Sequence, residues 1–428
     1  MSGEVPKSNP PRLLIEPSDA ALYNIGDMAM MYSATRRLHE VLPGATLEVL
    51  SASREELNRV CPDVQPLGDD LRLAWLKLLP RPIARALPIA LSTALRPMVA
   101  KYVLPVFCIF SARARSGRRK ARLFLDSVRD ASAMIVTGMG SITDTFGGDS
   151  YRMLETIALV LSQGKPVMMV GQGIGPITSR WLRARAAFVL SRVEVIGVRE
   201  ARATVPLLRQ LGVPAERIAV TGDDALELGY EMRSEVVGNA IGLNVRMAYY
   251  SGVSPREGRR IAEVVRQQAS ARGAQIVPLS IAGLDSDSDI KSLRTILPES
   301  AGELARLAQL RTPIDMIPEV RRCRIVVAGS YHAAVFALSA GIPAIGIANV
   351  PYYVSKFAGL QDLFGEGCAW VDLGEAGWEE NLDRQIARLW DEADRLRGHL
   401  LGAADRQITA GRELYARIAE RIRSLEHA

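Results

Sequence analysis

His332 is the residue whose type and position most clearly indicate chemistry. The chain has four histidines, and the other three lie on polar faces of predicted helices or at the end of the chain. His332 alone follows a predicted buried strand and opens the next predicted helix. Ligands of parallel sheets bind at the carboxyl ends of strands, and helix N-termini favour anions. We therefore predict that His332 is a catalytic acid, because an imidazole exchanges protons near neutral pH; a purely structural histidine is the alternative.

Arg199 and Lys356 are the two cations predicted to act with His332 in catalysis. Arg199 ends a predicted strand, and Lys356 lies shortly beyond a later one. The chain has only seven lysines, so a lysine at this position is informative. Both side chains could hold an anion through charge-assisted hydrogen bonds. The alternatives are a solvated surface lysine and, for Arg199 with Glu200, capping of a helix predicted over Arg199–Leu211.

Three turns rich in glycine follow strands of the first half of the chain. They are Asn24–Asp27, Gly138–Gly140 and Gly171–Pro176. Glycine lets a ligand approach the backbone closely, whereas the Asn and Asp of the first turn either cap a helix or bind a sugar hydroxyl. With the two residues before His332, these turns supply the predicted substrate-binding set. Its members are Asn24, Gly26, Asp27, Gly138, Gly140, Gln172, Gly173, Ser330 and Tyr331.

Alternating strands and helices must position these residues. Apolar runs of strand length end in Gly-rich or polar turns and are followed by helical periodicity, which predicts a parallel, doubly wound α/β sheet. The alternation restarts near Asn239. We predict two Rossmann-like lobes, residues 1–232 and 233–400, and a C-terminal helix over 401–428, with the reaction in the cleft between the lobes.

Composition excludes several classes of protein. The chain has 428 residues, of which 48% are hydrophobic and 23% charged, which is typical of a globular protein rather than a disordered or disulfide-rich one. Its four cysteines form no C-x-x-C pair and have no histidine at metal-ligand spacing, so no metal site and no cofactor is predicted. No signal peptide and no spanning segment is evident, and a cytoplasmic location is expected.

The positive charge is concentrated in one segment. Residues 71–125 contain twelve cations and no acidic residue, so the rest of the chain has a net charge of −6 within a total of +6. The segment is also apolar and broken by prolines. This pattern has two interpretations. Either the segment binds an anionic membrane surface, with Trp75, Tyr102 and Phe107 entering the bilayer shallowly, or it is an inserted segment that packs on its own lobe. No nucleic-acid-binding motif accompanies the charge.

The motifs, taken in their order along the chain, resemble those of the polysaccharide pyruvyl transferase family over roughly residues 12–365. They read N-I-G-D, G-M-G, G-Q-G-I-G-P, V-R-E, L-L-R-Q-L-G-V and H-A-A-V-F-A-L-S-A-G-I-P, followed by a lysine. The resemblance implies a two-lobed fold of the glycosyltransferase B type. It also implies phosphoenolpyruvate as donor, a saccharide that is often lipid-linked as acceptor, and a pyruvate ketal as product. In that reaction His332 would be the acid, and Arg199 and Lys356 would hold the donor's carboxylate and phosphate.

Two positions depart from the family pattern. Family members often have Arg two residues before the histidine, where this chain has Ser330, and a third glycine where it has Met139. The missing Arg bears on the donor, because it would bind a carboxylate or phosphate. Two other functions therefore stay open: glycosyl transfer from a nucleotide sugar on the same fold, and a non-catalytic family member.

Overall fold

The first lobe is built on a sheet of eight parallel strands. A computed structural model describes residues 10–99, 102, 112–248, 251–283 and 288–426. The strands lie in the order β3-β2-β1-β4-β6-β7-β8, and β5 pairs with β6 beside this path. They are β1 (Arg12–Glu16), β2 (Thr46–Ser51), β3 (Gln65–Gly68), β4 (Ala133–Val136), β5 (Met139–Ile142), β6 (Val167–Ile174), β7 (Val195–Val198) and β8 (Ile218–Val220).

Helices cover both faces of this sheet, as parallel strands require. The helix α1 begins after Asn24, whose side-chain oxygen accepts hydrogen bonds from the backbone of Gly26 and Asp27. The helices are α1 (Ile25–Val41), α2 (Arg54–Val60), α3 (Asp69–Leu76), α4 (Arg81–Ala86), α5 (Ile89–Met98), α6 (Ala112–Asp130), α7 (Gly147–Ser162), α8 (Arg180–Leu190), α9 (Thr204–Gln210) and α10 (Ala225–Glu231).

The second lobe has a five-stranded parallel sheet in the order β10-β9-β11-β12-β13. Its central strands are largely apolar, and β9 and β12 are buried at every position. The strands are β9 (Ala240–Asn244), β10 (Gln275–Pro278), β11 (Cys323–Ala328), β12 (Ala344–Ala348) and β13 (Cys368–Asp372). The helices are α11 (Pro255–Arg272), α12 (Asp289–Ile296), α13 (Ala301–Leu307), α14 (Pro313–Arg321), α15 (Tyr331–Ser339), α16 (Pro351–Phe364) and α17 (Trp378–Glu426).

The last helix, α17, ties the two lobes together. It runs from Trp378 to Glu426, and so begins within the range predicted for the second lobe. Leu400 and Ala404 pack in the core that contains the second sheet, whereas Tyr415 and Ile422 pack in a core of the first lobe. A helix of this length stays ordered because it buries an apolar stripe against two successive cores.

The basic segment 71–125 packs on the first lobe through buried ion pairs. Arg72 pairs with Glu16 of β1, and Arg96 pairs with Glu155 of α7. All four side chains are nearly inaccessible to solvent. The segment is therefore anchored to its own lobe, and these two cations are not available to an external partner.

The aromatic residues predicted to insert into a membrane behave differently from one another. Trp75 is fully buried, so that prediction is wrong for Trp75, because its ring fills the space between α3 and the lobe. Tyr102 is 61% exposed, and Phe107 lies outside the described residues. None of the described helices combines the length and hydropathy needed to cross a bilayer.

Candidate active site

The carboxyl ends of both sheets open into one cleft of about 550 Å³. Residues within four positions of a strand's carboxyl end supply much of its lining, as expected for parallel α/β sheets. They include Asp69 after β3, Arg199 after β7, Arg246 after β9, Ala282 after β10 and Ser330 after β11. His332 and Lys356 line the same cleft, so the three predicted catalytic residues lie together.

His332 is held between the N-terminus of α1 and a buried aspartate. The ring is 6% exposed, and its Nε2 lies 3.6 Å from Oδ2 of Asp223. A side chain at Gly26 would overlap the imidazole, so Gly26 is needed to admit the ring rather than to approach a ligand. Although burial raises the pKa of Asp223, Arg199 and His332 outweigh burial and lower it to about 2. An ionised carboxylate therefore lies beside the imidazole, beyond hydrogen-bond distance, in a pairing similar to that of acid–base catalysts.

Arg199 is more constrained than a free anion clamp. Its Nε lies 2.9 Å from Oδ2 of Asp223 and donates to the carbonyl of Gly171 at 2.7 Å. The guanidinium also lies over the Tyr331 ring, 5.3 Å from the ring centroid. Only 3% of the residue is exposed, yet it lines the cleft. Arg199 thus supplies a fixed positive charge, and its Nε–H is already used in contacts with Gly171 and Asp223.

The neighbouring Glu200 has the capping role that was the alternative for this pair. Its carboxylate accepts from the backbone N–H of Ala203 and Thr204, each at 2.8 Å. The helix consequently begins at Thr204, and the prediction that it begins at Arg199 is wrong. Residues 199–203 form a turn instead, which lets Arg199 face the cleft.

Lys356 lies in a cage of tyrosine rings. Its Nζ donates to the hydroxyl of Tyr352 at 2.6 Å and lies 4.0 Å from the centroid of that ring. The Tyr352 hydroxyl in turn donates to the carbonyl of Gly140 at 2.8 Å, so this chain of hydrogen bonds joins the two lobes. Burial and the nearby Arg199 lower the pKa of Lys356 to about 7. A lysine with this pKa exchanges protons near neutral pH and is not a surface lysine.

Asn24 and Asp27 join α1 to the cleft and to the second lobe. Asn24 caps α1 and also forms an isolated β-bridge with Ala282. Asp27 faces the cleft, where burial raises its pKa and the charge of His332 opposes that rise. Asn24 therefore has the structural role, while Asp27 has the position expected of a residue that orients a hydroxyl.

The glycine-rich turns contribute less to the cleft than predicted. Gly140 lines it, and a Cβ there would lie 2.9 Å from Nζ of Lys356. Gly138 instead packs under Met30, and Gly173 lies beside Arg199 outside the main cleft.

Gln172 does not line the cleft at all. It is fully buried, and its amide donates to three backbone carbonyls, those of Val136, Thr137 and Val170. The prediction that Gln172 binds substrate is therefore corrected, because its donors already hold β4 and β6 together.

Ser330 and Tyr331 line the cleft as predicted, and the same wall carries a cation that was not predicted. Arg246 follows β9, is 4% exposed, and pairs with Asp289 at 2.7 Å. The turn at Gly329 approaches the Arg246 backbone so closely that a Cβ at Gly329 would lie 3.2 Å from its nitrogen. Arg199, Lys356 and Arg246 are hereafter the basic cluster.

The first-lobe side of the cleft is acidic. We call four of its five carboxylates, all except Asp27, the acidic wall, and they are Glu16, Asp19, Asp69 and Asp149. Two arginines, Arg72 and Arg152, pair with members of this wall. Glu16 is 2% exposed, and its Oε2 has no hydrogen-bond partner among the described residues. The cleft thus combines the basic cluster with carboxylate acceptors.

A signal for two of the missed residues was present in the sequence. Asp223 follows β8 and Arg246 follows β9, at the edge of each sheet where ligands bind. Their partners were not visible, because Arg199 and Asp289 are distant along the chain.

Residues 24–350, which include His332, Arg199 and Arg246, match the polysaccharide pyruvyl transferase family. The chain belongs to this family. It is similar to the amylovoran biosynthesis protein AmsJ of Erwinia amylovora. The two are 22% identical over 312 residues, which cover 65% of this chain and 74% of AmsJ. Lys356 lies just beyond residues 24–350, the range of this chain that matches the family.

Solved structures show that this pyruvyl transferase family member has the two-lobed fold of the glycosyltransferase B type. The S. aureus MnaA–UDP co-structure superimposes with a TM-score of 0.53 at 11% identity, covering 94% of each chain. The lipopolysaccharide outer core galactosyltransferase WaaB has a TM-score of 0.50 at 10% identity, covering 96% of this chain and 99% of its own. At such identities the likeness concerns the fold alone.

Proposed function

We propose that the protein transfers a pyruvyl group from phosphoenolpyruvate to a saccharide and forms a pyruvate ketal. The observation that carries the proposal is the convergence of His332 and the basic cluster in one cleft. Phosphoenolpyruvate carries a carboxylate and a phosphate, and charge-assisted hydrogen bonds to fixed cations bind such groups well. No metal or organic cofactor is invoked.

The basic cluster would hold the two anionic groups of the donor. Ser330 leaves no guanidinium at the position where the family often has one, but Arg246 supplies one from the adjacent strand on the same wall. A protonated Lys356 would neutralise charge that develops as phosphate leaves, because fixed cations in a partly dry site stabilise such charge strongly. Its cage of tyrosine rings keeps the ammonium beside the cleft.

His332 would act as the general acid. In the first step it protonates C3 of the enol while a sugar hydroxyl attacks C2, and the proton that this hydroxyl loses returns to the imidazole. Phosphate then leaves from C2, and a second hydroxyl of the same sugar attacks the resulting cation, which closes the ketal and releases a proton. Asp223 orients the imidazole and compensates its positive charge, and Asp27 is placed to orient a hydroxyl.

The acidic wall would hold the acceptor. Sugar hydroxyls donate hydrogen bonds, and buried carboxylate oxygens such as Oε2 of Glu16 accept them. A cleft of about 550 Å³ lies within the range that holds drug-sized ligands, so it has room for the donor and a terminal sugar together. The similarity to AmsJ, a protein of amylovoran biosynthesis, supports a saccharide acceptor. We propose a lipid-linked saccharide.

The test is phosphate release from phosphoenolpyruvate in the presence of candidate lipid-linked saccharides. We expect release that depends on the acceptor, together with an acceptor mass increased by the pyruvate ketal. His332→Ala should abolish both. His399→Ala is the matched control, because His399 lies beside the Phe364 carbonyl outside the cleft. A folded wild-type protein that binds no phosphoenolpyruvate would contradict the proposal.

Glycosyl transfer is the second candidate, and the fold shared with WaaB and the MnaA–UDP co-structure favours it. The basic cluster would bind a nucleoside diphosphate as well as it would bind phosphoenolpyruvate. Calorimetric titration separates the two functions. Saturation by a nucleotide sugar without binding of phosphoenolpyruvate would assign glycosyl transfer.

A further inference from the structure

The helix α5 exposes its apolar side and buries its polar side. Leu91 and Met98 are 45% and 53% exposed. The exposed positions are Ala90, Leu91, Ala94 and Met98, which lie on one helical face. The buried positions include Ser92, Thr93 and Arg96. A surface helix of a globular protein normally has the opposite orientation, with its apolar stripe inward.

Buried polar contacts fix this inverted orientation. Arg96 is fully buried, pairs with Glu155, and donates to the Tyr151 hydroxyl at 2.9 Å. Ser92 donates to the same carboxylate at 3.2 Å. Turning α5 over would break the buried Arg96–Glu155 pair and leave the Glu155 carboxylate only Arg185 as a partner, and breaking a buried pair is strongly destabilising. The apolar face is therefore held outward.

The helices that flank α5 along the chain, α4 and α6, also carry exposed cations close in sequence to exposed apolar side chains. Ile83 of α4 is 50% exposed and lies between Arg81 and Arg85, both of them exposed. Leu123 of α6 is 46% exposed and lies beside Arg122. In the described part of the chain, five of the nine exposed large apolar side chains lie within 71–125, so exposure is concentrated there. The exposed residues of α4, α5 and α6 are hereafter the basic apolar face.

We propose that the basic apolar face docks on an anionic lipid bilayer. Apolar side chains enter the headgroup boundary while arginines contact anionic headgroups, the combination that interfacial helices use. A second copy of the chain fits less well, because a two-fold interface would set the arginines of one copy against those of the other. The cleft is adjacent, since α3 packs on α6 and carries Asp69 and Arg72 into it. The inference goes beyond the proposed function and does not depend on the donor.

Vesicle flotation of the full-length protein tests the inference. We expect flotation with vesicles of equal parts phosphatidylcholine and phosphatidylglycerol, little with phosphatidylcholine alone, and a fall as salt rises, because salt screens exposed charges. Two variants should each weaken partition about tenfold or more. The first combines Leu91→Ser with Met98→Ser. The second combines Arg118→Gln, Arg119→Gln and Arg122→Gln.

The matched control removes the same charge from the second lobe. It combines Arg256→Gln, Arg259→Gln and Arg294→Gln, which are exposed on α11 and α12. Circular dichroism verifies folding of all variants, whose changed side chains are exposed. Equal flotation of wild type and both test variants, or equal loss in the control, would overturn the inference. So would a wild-type dimer that fails to float and that Leu91→Ser with Met98→Ser converts to monomer, because the face would then bind a second copy.

Discussion

Lys356→Met is expected to change how the free energy of unfolding depends on pH. Burial, with the charge of Arg199 nearby, lowers the pKa of Lys356 from 10.5 to about 7. Between these values the unfolded chain holds the lysine proton and the folded protein releases it. Stability rises with pH wherever the unfolded state binds more protons. The wild-type protein therefore gains stability as pH rises from 7 to 10.5, and below pH 7 it bears the full cost of a charged, desolvated ammonium.

The size of the effect follows from the width of this window. Each pH unit between the two pKa values contributes about 1.36 kcal/mol, so a rise from pH 7 to about pH 9 contributes at most about 2.7 kcal/mol. The side chain is partly exposed, and solvent screening reduces this to about 1–2 kcal/mol. Methionine does not titrate, so wild type should gain that much stability relative to Lys356→Met over the same interval.

Urea unfolding of both proteins at the two pH values measures this difference. Lys77→Met is the control, because Lys77 is exposed, and its difference from wild type should not change with pH. Phosphoenolpyruvate should bind wild type more weakly as pH rises above 7, since the uncharged amine loses its attraction for the donor's anionic groups. A difference between wild type and Lys356→Met that stays constant with pH would refute the argument that the cleft tunes this lysine.

Three further outcomes are expected. Gly26→Ala should lower turnover by about a hundredfold, because the new Cβ displaces His332 and small misplacements of a catalytic group have effects of that size; steady-state kinetics on the folded variant measures it. Asp223→Asn should lower the free energy of unfolding by about 3–5 kcal/mol in urea titrations, because the buried guanidinium of Arg199 loses its counterion. Arg246→Gln should weaken phosphoenolpyruvate binding about ten- to hundredfold by calorimetry and leave the acceptor KM unchanged.

The α/β architecture could be predicted because it is encoded in local patterns. Strands buried on both faces read as short apolar runs, and the turns after them must admit a change of chain direction, so glycines and polar residues mark the carboxyl edge. That edge faces the cleft in any such sheet. For this reason His332, Arg199, Asp27, Ser330 and Tyr331 could be placed at the site by position alone.

The identity of each side chain's partner was decided by tertiary structure. The sequence does not distinguish a glycine that a ligand approaches from one that a side chain approaches. Only the packing of α15 on α1 shows that Gly26 admits the His332 ring. Gln172 likewise has the sequence position of a site residue, and only the tertiary structure shows that its amide binds three backbone carbonyls.

The sequence by itself determined the charge of segment 71–125 but not its accessibility. The segment contains twelve cations and no acidic residue, but its sequence does not show which acidic residues elsewhere in the chain pair with them. In the folded protein, Arg72 pairs with Glu16 and Arg96 pairs with Glu155. Burial of those pairs fixes which face of α5 points inward, and thereby leaves its apolar face outside. Ion pairing between residues more than fifty positions apart is a property of the folded chain, because only folding brings those charges together.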